Sequence, residues 1–205
     1  MKKPFYCFLS LFIILLFSVN IQAQIGISLN HINPKGDYAH IFKPSVGFEF
    51  VYRAADQGEK LQYGVSIGYF KLAATQESFP TYAVAKRNGQ TVLYSGNETF
   101  NNYYSIPFGI NLDYQFLNSK VSPFVGLDFY THFFSYDYTS NINRIEDVSA
   151  QESSFAIGYL PKIGLSYDHN LYFTFDIGIG RSSSVEKGYS PQTYWKSYFL
   201  TTFYF

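Results

Sequence analysis

Cysteine is almost missing from this chain. The single one, Cys7, falls inside a segment expected to be removed, so the mature protein has no thiol for a disulfide, a nucleophile or a thiolate metal site. A net charge is missing as well. Fifteen basic residues balance fifteen acidic ones, which leaves neither the electrostatic footprint of a nucleic-acid binder nor an acidic tail, and no nucleic-acid partner is expected. No glycine-rich phosphate cradle, metal-ligand cluster or calcium loop is visible either, so no cofactor and no metal are expected. The Asn97-Glu98-Thr99 match to a glycosylation acceptor is read as chance.

What the chain does have is an excess of large rings. Tyrosine and phenylalanine number 20 and 22, and aromatics make up 21% of the chain, more than a soluble core of this size needs. That excess has to face something.

The first 23 residues read as a secretory signal: Lys2 and Lys3 at the start, an apolar run from Phe5 to Val19, and the small-residue site Ile21-Gln22-Ala23. The run is shorter than the ~20 apolar residues of a spanning helix. Removal is expected, leaving residues 24–205 as one domain. Cys7 precedes most of the apolar run, so it is not the acylated first residue of a lipoprotein.

From Gln24 onward helical periodicity is absent, and short alternating segments follow one another between turns. Ile25, Ile27 and Leu29 alternate with Gly26, Ser28 and Asn30. Val46, Phe48, Phe50 and Tyr52 alternate with Gly47, Glu49, Val51 and Arg53. Leu61 to Tyr69, Tyr104 to Tyr114, Val125 to Tyr130, Phe155 to Tyr167, Leu171 to Gly180 and Tyr194 to Phe205 continue the pattern. Eight segments result. Their connections alternate between short (Ala54 to Lys60, Leu117 to Lys120, Asp168 to Asn170) and long and polar (after Asn30, Ala73 to Asn102, Ser135 to Ser153, Arg181 to Thr193), as in a barrel with tight turns at one end and longer loops at the other.

The two faces differ in volume. One is large and apolar, the other mostly glycine, serine, asparagine or charged. An eight-stranded barrel has room inside only for side chains that just fill it, so the small face is expected inside and the large face outside, in lipid. A soluble barrel with an apolar, ligand-holding interior predicts polar residues on the opposite face, not the small ones found. Tyr52, Tyr63, Tyr69, Tyr114, Tyr130, Tyr167 and Trp195 fall near segment ends, where an aromatic girdle belongs. Pro107 and Pro161 each remove a ladder hydrogen bond, and a bulge is expected at one or both.

With these features in place, the chain resembles the small outer-membrane β-barrel proteins of Gram-negative bacteria, the eight-stranded OmpA-like and OmpX-like barrels. Tyr104-Ser105-Ile106-Pro107-Phe108-Gly109-Ile110 is similar to the aromatic-x-Ile-Pro strand of the PorT-like barrels of the Bacteroidota. The resemblance implies an all-β, antiparallel, up-and-down transmembrane barrel in the outer membrane, both mature ends in the periplasm, with outer-membrane lipid and the barrel-insertion machinery as partners. It also implies that Phe199, Phe203 and Phe205 are the C-terminal signal that this machinery reads. A glycine often present a few residues earlier is replaced here by Leu200 and Thr201.

The candidate chemistry lies on the small face. Glu49, Arg53, Asp113, Asp128, His132, Lys162, Asp176 and Lys196 are charged or titratable there and are expected to form an interior ion-pair cluster, because unpaired charges in so narrow a space are too costly. If the sixth and seventh segments turn about His169, Lys162 faces Asp176 and the two form a buried pair. A structural plug is the leading reading and a narrow ion path its rival. Catalysis of the kind seen in barrels resembling lipid A deacylases or acyltransferases needs a serine, a histidine and an orienting acid. His132 is the only histidine inside a segment and its neighbour Ser135 has the wrong alternation, so no enzyme is expected. Finally, Arg87-Asn88-Gly89-Gln90 between Thr81 to Lys86 and Thr91 to Ser95 signals a hairpin. Its arms are too short and polar to cross a bilayer, and residues 82–94 are expected to project above it, with a solvated extension as the leading reading and a strand-accepting edge for an extracellular protein partner as its rival.

Overall fold

The computed structural model describes residues 23–54, 59–87, 90–142, 148–169, 173–186 and 192–204. Nine strands occur in them: β1 (Ala23–Lys35), β2 (Ser45–Ala54), β3 (Leu61–Leu72), β4 (Phe79–Arg87), β5 (Gln90–Gln115), β6 (Val121–Ile142), β7 (Val148–Asp168), β8 (Phe173–Glu186) and β9 (Gln192–Tyr204). One short helix, α1 (Asp37–Ile41), joins β1 to β2. Most of the expected signal, residues 1–22, lies outside the described residues, and Ala23 opens β1.

Eight of the strands form a closed ring. Every pair is antiparallel, in the order β3-β2-β1-β9-β8-β7-β6-β5, and a β3–β5 pairing completes the circle. The last strand meets the first from Gln24↔Tyr204 to Lys35↔Thr193, so neither is an edge. β4 is the ninth strand and stands outside the ring, paired only with β5.

The alternation sets the two faces as expected from side-chain volume. Ile25, Ile27 and Leu29 on β1, Phe48 and Phe50 on β2, and Ile163, Leu165 and Tyr167 on β7 are exposed, while Gln24, Ser28, Asn30, Glu49, Arg53 and Lys162 are buried. Buried polar groups beneath an exposed apolar coat invert the arrangement of a water-soluble protein. Hydrocarbon is the medium that suits such a coat. Tyr130 is a correction to the girdle: it is 2% exposed and points inward, as its alternation with Phe129 requires.

Two further expectations change. Neither proline produces a bulge. The β3–β5 ladder lapses between Ile67↔Phe108 and Phe70↔Ser105, beside Pro107, and the β7–β8 ladder between Tyr159↔Ser183 and Lys162↔Gly180, beside Pro161; both resume in the same register. The missing N–H costs a bond without inserting a residue, so facing is preserved. The register shift in β5 comes higher, between Phe100 and Asn102.

The long loops are also largely strand. β5, β6 and β7 run for 26, 22 and 21 residues, about twice the ~9–11 that a tilted strand needs to cross a bilayer. Their polar upper halves do not read as strand because neither face meets lipid, yet they pair with one another from Gly96↔Ile142 and Ser140↔Val148 downward. On the inner face of this extension Tyr136 and Tyr138 donate to Glu152 at 2.7 and 3.0 Å. Burial and the neighbouring Glu152 charge push the Glu98 carboxyl up.

At the loop end the barrel mouth is filled. Gly36, at φ 60°, turns β1 into α1 in a conformation that side-chain-bearing residues rarely adopt. The turn drops Tyr38 and Phe42 inward, where Phe42 packs on Tyr103 with ring centroids 4.2 Å apart. The segment is tied down by Lys43 N–H to the Ala73 carbonyl and Thr75 N–H to the Ile41 carbonyl, both 2.8 Å. With Phe70, Phe134, Leu160 and Tyr194 these rings make an apolar layer above the charged interior.

Candidate functional site

The charged residues of the small face arrive from six strands. Glu49 and Arg53 lie on β2, Asp113 on β5, Asp128 on β6, Lys162 on β7, Asp176 on β8 and Lys196 on β9. All seven are buried. Strands two or three places apart around the ring bring their side chains together across the axis, since the interior is only a few side chains wide.

The contacts form one continuous chain. Arg53 holds Asp176 through Nη1 at 2.8 Å and Asp113 through Nη2 at 3.4 Å. Lys162 Nζ lies 2.9 Å from the other Asp113 oxygen and 2.7 Å from Asp128 Oδ1. Asp128 Oδ2 accepts from the Tyr130 hydroxyl at 2.9 Å, and that hydroxyl accepts from Lys196 Nζ at 3.0 Å. Lys196 finally donates to both Glu49 oxygens at 2.7 Å. Tyrosine rings complete the shell: Lys196 lies 5.2 Å from the centroid of Tyr130, and Lys162 lies 5.7 Å from that of Tyr198. Three cations thus serve four carboxylates in one network, where any lone charge would be strongly unfavourable.

Sequence reasoning placed the members but not all the partners. Lys162 and Asp176 do not pair with each other. The β7–β8 hairpin is centred two residues beyond His169, so Asp176 opposes Ser166 and Lys162 opposes Gly180; Asp176 then meets Arg53 across the lumen, and Lys162 meets Asp128 on the adjacent β6 and Asp113 one strand further on. His132 is inside but outside the ionic chain. It is 2% exposed, stacks on Phe134, and its Nδ1 lies 3.2 Å from Ser105 Oγ. Tyr130 and Tyr198 were missed as network members, although alternation with Asp128 and with Lys196 signals both.

Gly126 explains how the centre fits. It sits on β6 directly between Asp113 on β5 and Lys162 on β7, and a Cβ there would run into Asp113 Oδ1 and lie 2.6 Å from Lys162 Cε. The ion pair closes over the one residue without a side chain. Gly126→Ala is expected to destabilise the barrel by about 1–3 kcal/mol through overpacking, read from urea unfolding in lipid vesicles. An unchanged midpoint would show that the pair does not close over this position.

Two small cavities lie among the described residues of the interior. One of about 20 Å³ lies among Ser28, Glu49, Arg53, Asn111 and Lys162; the other, about 10 Å³, lies beneath Tyr38 beside Ser105 and His132. Each has room for about one water. Among the described residues no group of three His, Cys, Asp or Glu is placed to hold a metal.

Of the remaining sequence-predicted residues, Phe199 and Phe203 point outward and are exposed, while Phe205 lies outside the described residues. The hairpin forms, from Phe79↔Glu98 to Arg87↔Gln90, with Asn88 and Gly89 outside the described residues. Among the described residues β4 is paired on one side only; the other arm is the upper part of β5, which pairs with β6 from Gly96 downward.

No family model and no curated protein matches the chain. Among solved structures it is similar to Neisserial surface protein A, at 12% identity and a TM-score of 0.57, over 89% of this chain and 97% of that one. It is also similar to a major outer membrane protein from Thermus thermophilus, at 14% identity and a TM-score of 0.51, over 89% of this chain and 99% of that one. In fold, and in the apolar coat it presents, the protein is a small eight-stranded outer-membrane β-barrel.

Proposed function

We propose that the protein is a surface-interaction barrel: the membrane-embedded part is a sealed anchor, and the sheet carried above it does the binding. One observation carries this reading. The interior is closed twice, by the ionic chain from Asp176 to Glu49 and by the aromatic layer under α1, while β4 to β7 continue well beyond membrane height with a free β4 edge. On the outer face of that hairpin Tyr82, Val84 and Leu93 are more than 60% exposed. A partner strand added along β4 gains main-chain hydrogen bonds and these three side chains as contacts.

The rivals fare less well. A narrow channel needs an opening, and the two interior cavities among the described residues each have room for about one water. A lipid-modifying enzyme needs an acid behind its base, but His132 Nε2 has no hydrogen-bond partner among the described residues, and the Ser105–His132 pair faces the interior rather than the lipid. Within the small barrels, the Tyr104-to-Ile110 motif supports a PorT-like affiliation, with Tyr104 and Phe108 facing outward and Pro107 inward.

Deleting residues 82–94 is expected to abolish binding of proteins captured from intact outer membranes while the barrel still folds. Steady conductance of the intact protein in planar bilayers, or capture unaffected by the deletion, would count against the proposal.

A further inference from the structure

The outward-facing basic residues are unevenly distributed. On the flank formed by β8, β9, β1, β2 and β3 the exposed face carries Arg181, His31, Lys35 and Lys71 near the loop end, with Trp195 among them. No acidic side chain points outward from these five strands among the described residues. The opposite flank, β5 to β7, presents Tyr104, Phe133 and Phe155 at the same height, together with Asp137 and no cation.

Height follows from counting along each strand. Arg181 is the ninth residue of β8 and His31 the ninth of β1, Lys71 is the eleventh of β3, and Trp195 is the tenth back from the end of β9. A tilted strand crosses the hydrocarbon in ~9–11 residues, so these side chains emerge at the headgroup border, with Lys35 just above it. Laterally, Arg181 pairs with Trp195 and Trp195 with Asn33. With strands ~4.8 Å apart, Arg181 and Lys71 each stand about two strand spacings, roughly 10 Å, to either side of β1, where His31 is level with Lys71 and Lys35 lies four residues higher. None of them is ion-paired within the described chain; the nearest acid in sequence, Asp37, stands two residues beyond Lys35 at the start of α1.

The unpaired cations Arg181, Lys35 and Lys71 at a membrane border, interleaved with an interfacial tryptophan, match one chemistry. We propose that this arc binds the phosphate groups of an anionic lipid in the surrounding leaflet, with Arg181 able to grip phosphate through two N–H donors and Lys35 and Lys71 acting as point charges. The site lies on the lipid-facing wall, so its ligand is a membrane component and not a soluble anion. One flank of the barrel then carries a fixed lipid, and the other is left free below the projecting sheet.

The chain has a single tryptophan, and it lies inside the arc, so the protein carries its own reporter. Refolded protein in non-ionic detergent is titrated with lipid A, reading Trp195 emission and counting retained lipid by native mass spectrometry. Saturable binding is expected, weaker by about fivefold for each of Arg181→Gln, Lys35→Gln and Lys71→Gln, and by on the order of a hundredfold for the triple variant. All three side chains point away from the core, and unchanged β-sheet circular dichroism verifies their folding. Inorganic phosphate at the same concentration is expected to leave both readouts unchanged. Equal affinity for dephosphorylated lipid A, an unaltered triple variant, a matching response to inorganic phosphate, or no retained lipid would each overturn the assignment.

Discussion

Lys162→Met is expected to destabilise the folded barrel by about 3–5 kcal/mol, the cost of leaving buried charge without its partner. The ammonium is shared by Asp113 and Asp128 at 2.9 and 2.7 Å, with the lysine side chain 6% exposed. After the change Asp113 retains only the longer 3.4 Å contact to Arg53, and Asp128 only the neutral Tyr130 hydroxyl and Asn111 amide. Urea unfolding in lipid vesicles measures the loss. Adding Asp128→Asn to Lys162→Met is expected to return part of it, and the double-mutant cycle isolates the pairwise coupling. A loss below about 1 kcal/mol, the range of solvated ion pairs, would mean that the interior charges are hydrated. The sealed-anchor reading would then give way to a water-filled path.

Ile177→Arg tests the other face. Ile177 and Val185 both point outward from β8 and are almost equally exposed, at 60% and 62%, so geometry alone predicts the same tolerance. The medium distinguishes them. Ile177 lies in the middle of the crossing segment, where an arginine costs about 2–4 kcal/mol. Val185 lies beyond Arg181, above the hydrocarbon, where a surface substitution changes stability by roughly 0.5 kcal/mol or less. Equal effects at the two positions would remove the case for lipid around the barrel.

The faces were legible in the residues because period-two alternation survives any error of loop length: Phe48, Phe50 and Ile67 are outside and Glu49, Arg53 and Ser66 inside wherever the turns fall. Partners were not legible in the same way. Arg53 meets Asp176 across 123 residues of sequence, and the two strands are not neighbours in the ring, so no ladder register relates them. The Lys162–Asp176 expectation depended on the centre of one turn, and a displacement of two residues in that centre separated them. The upper halves of β5 to β7 were read as loop because their alternation has no hydrophobic contrast, and the short α1 because five residues are too few for periodicity. Tyr130 shows the reverse case. Its alternation was correct, and its proximity to a segment end misled.

Pairing of the first strand with the last sets the order of events during biogenesis. No nascent chain can complete the ring before β9 has been exported, and without β9 both β1 and β8 present open edges while Glu49 lacks Lys196. Contacts spanning nearly the whole sequence, as between Gln24 and Tyr204, make closure slow and all-or-none. The polypeptide must therefore be held unfolded until its final residues arrive, and a chain stopped short of them has no stable partial form to occupy.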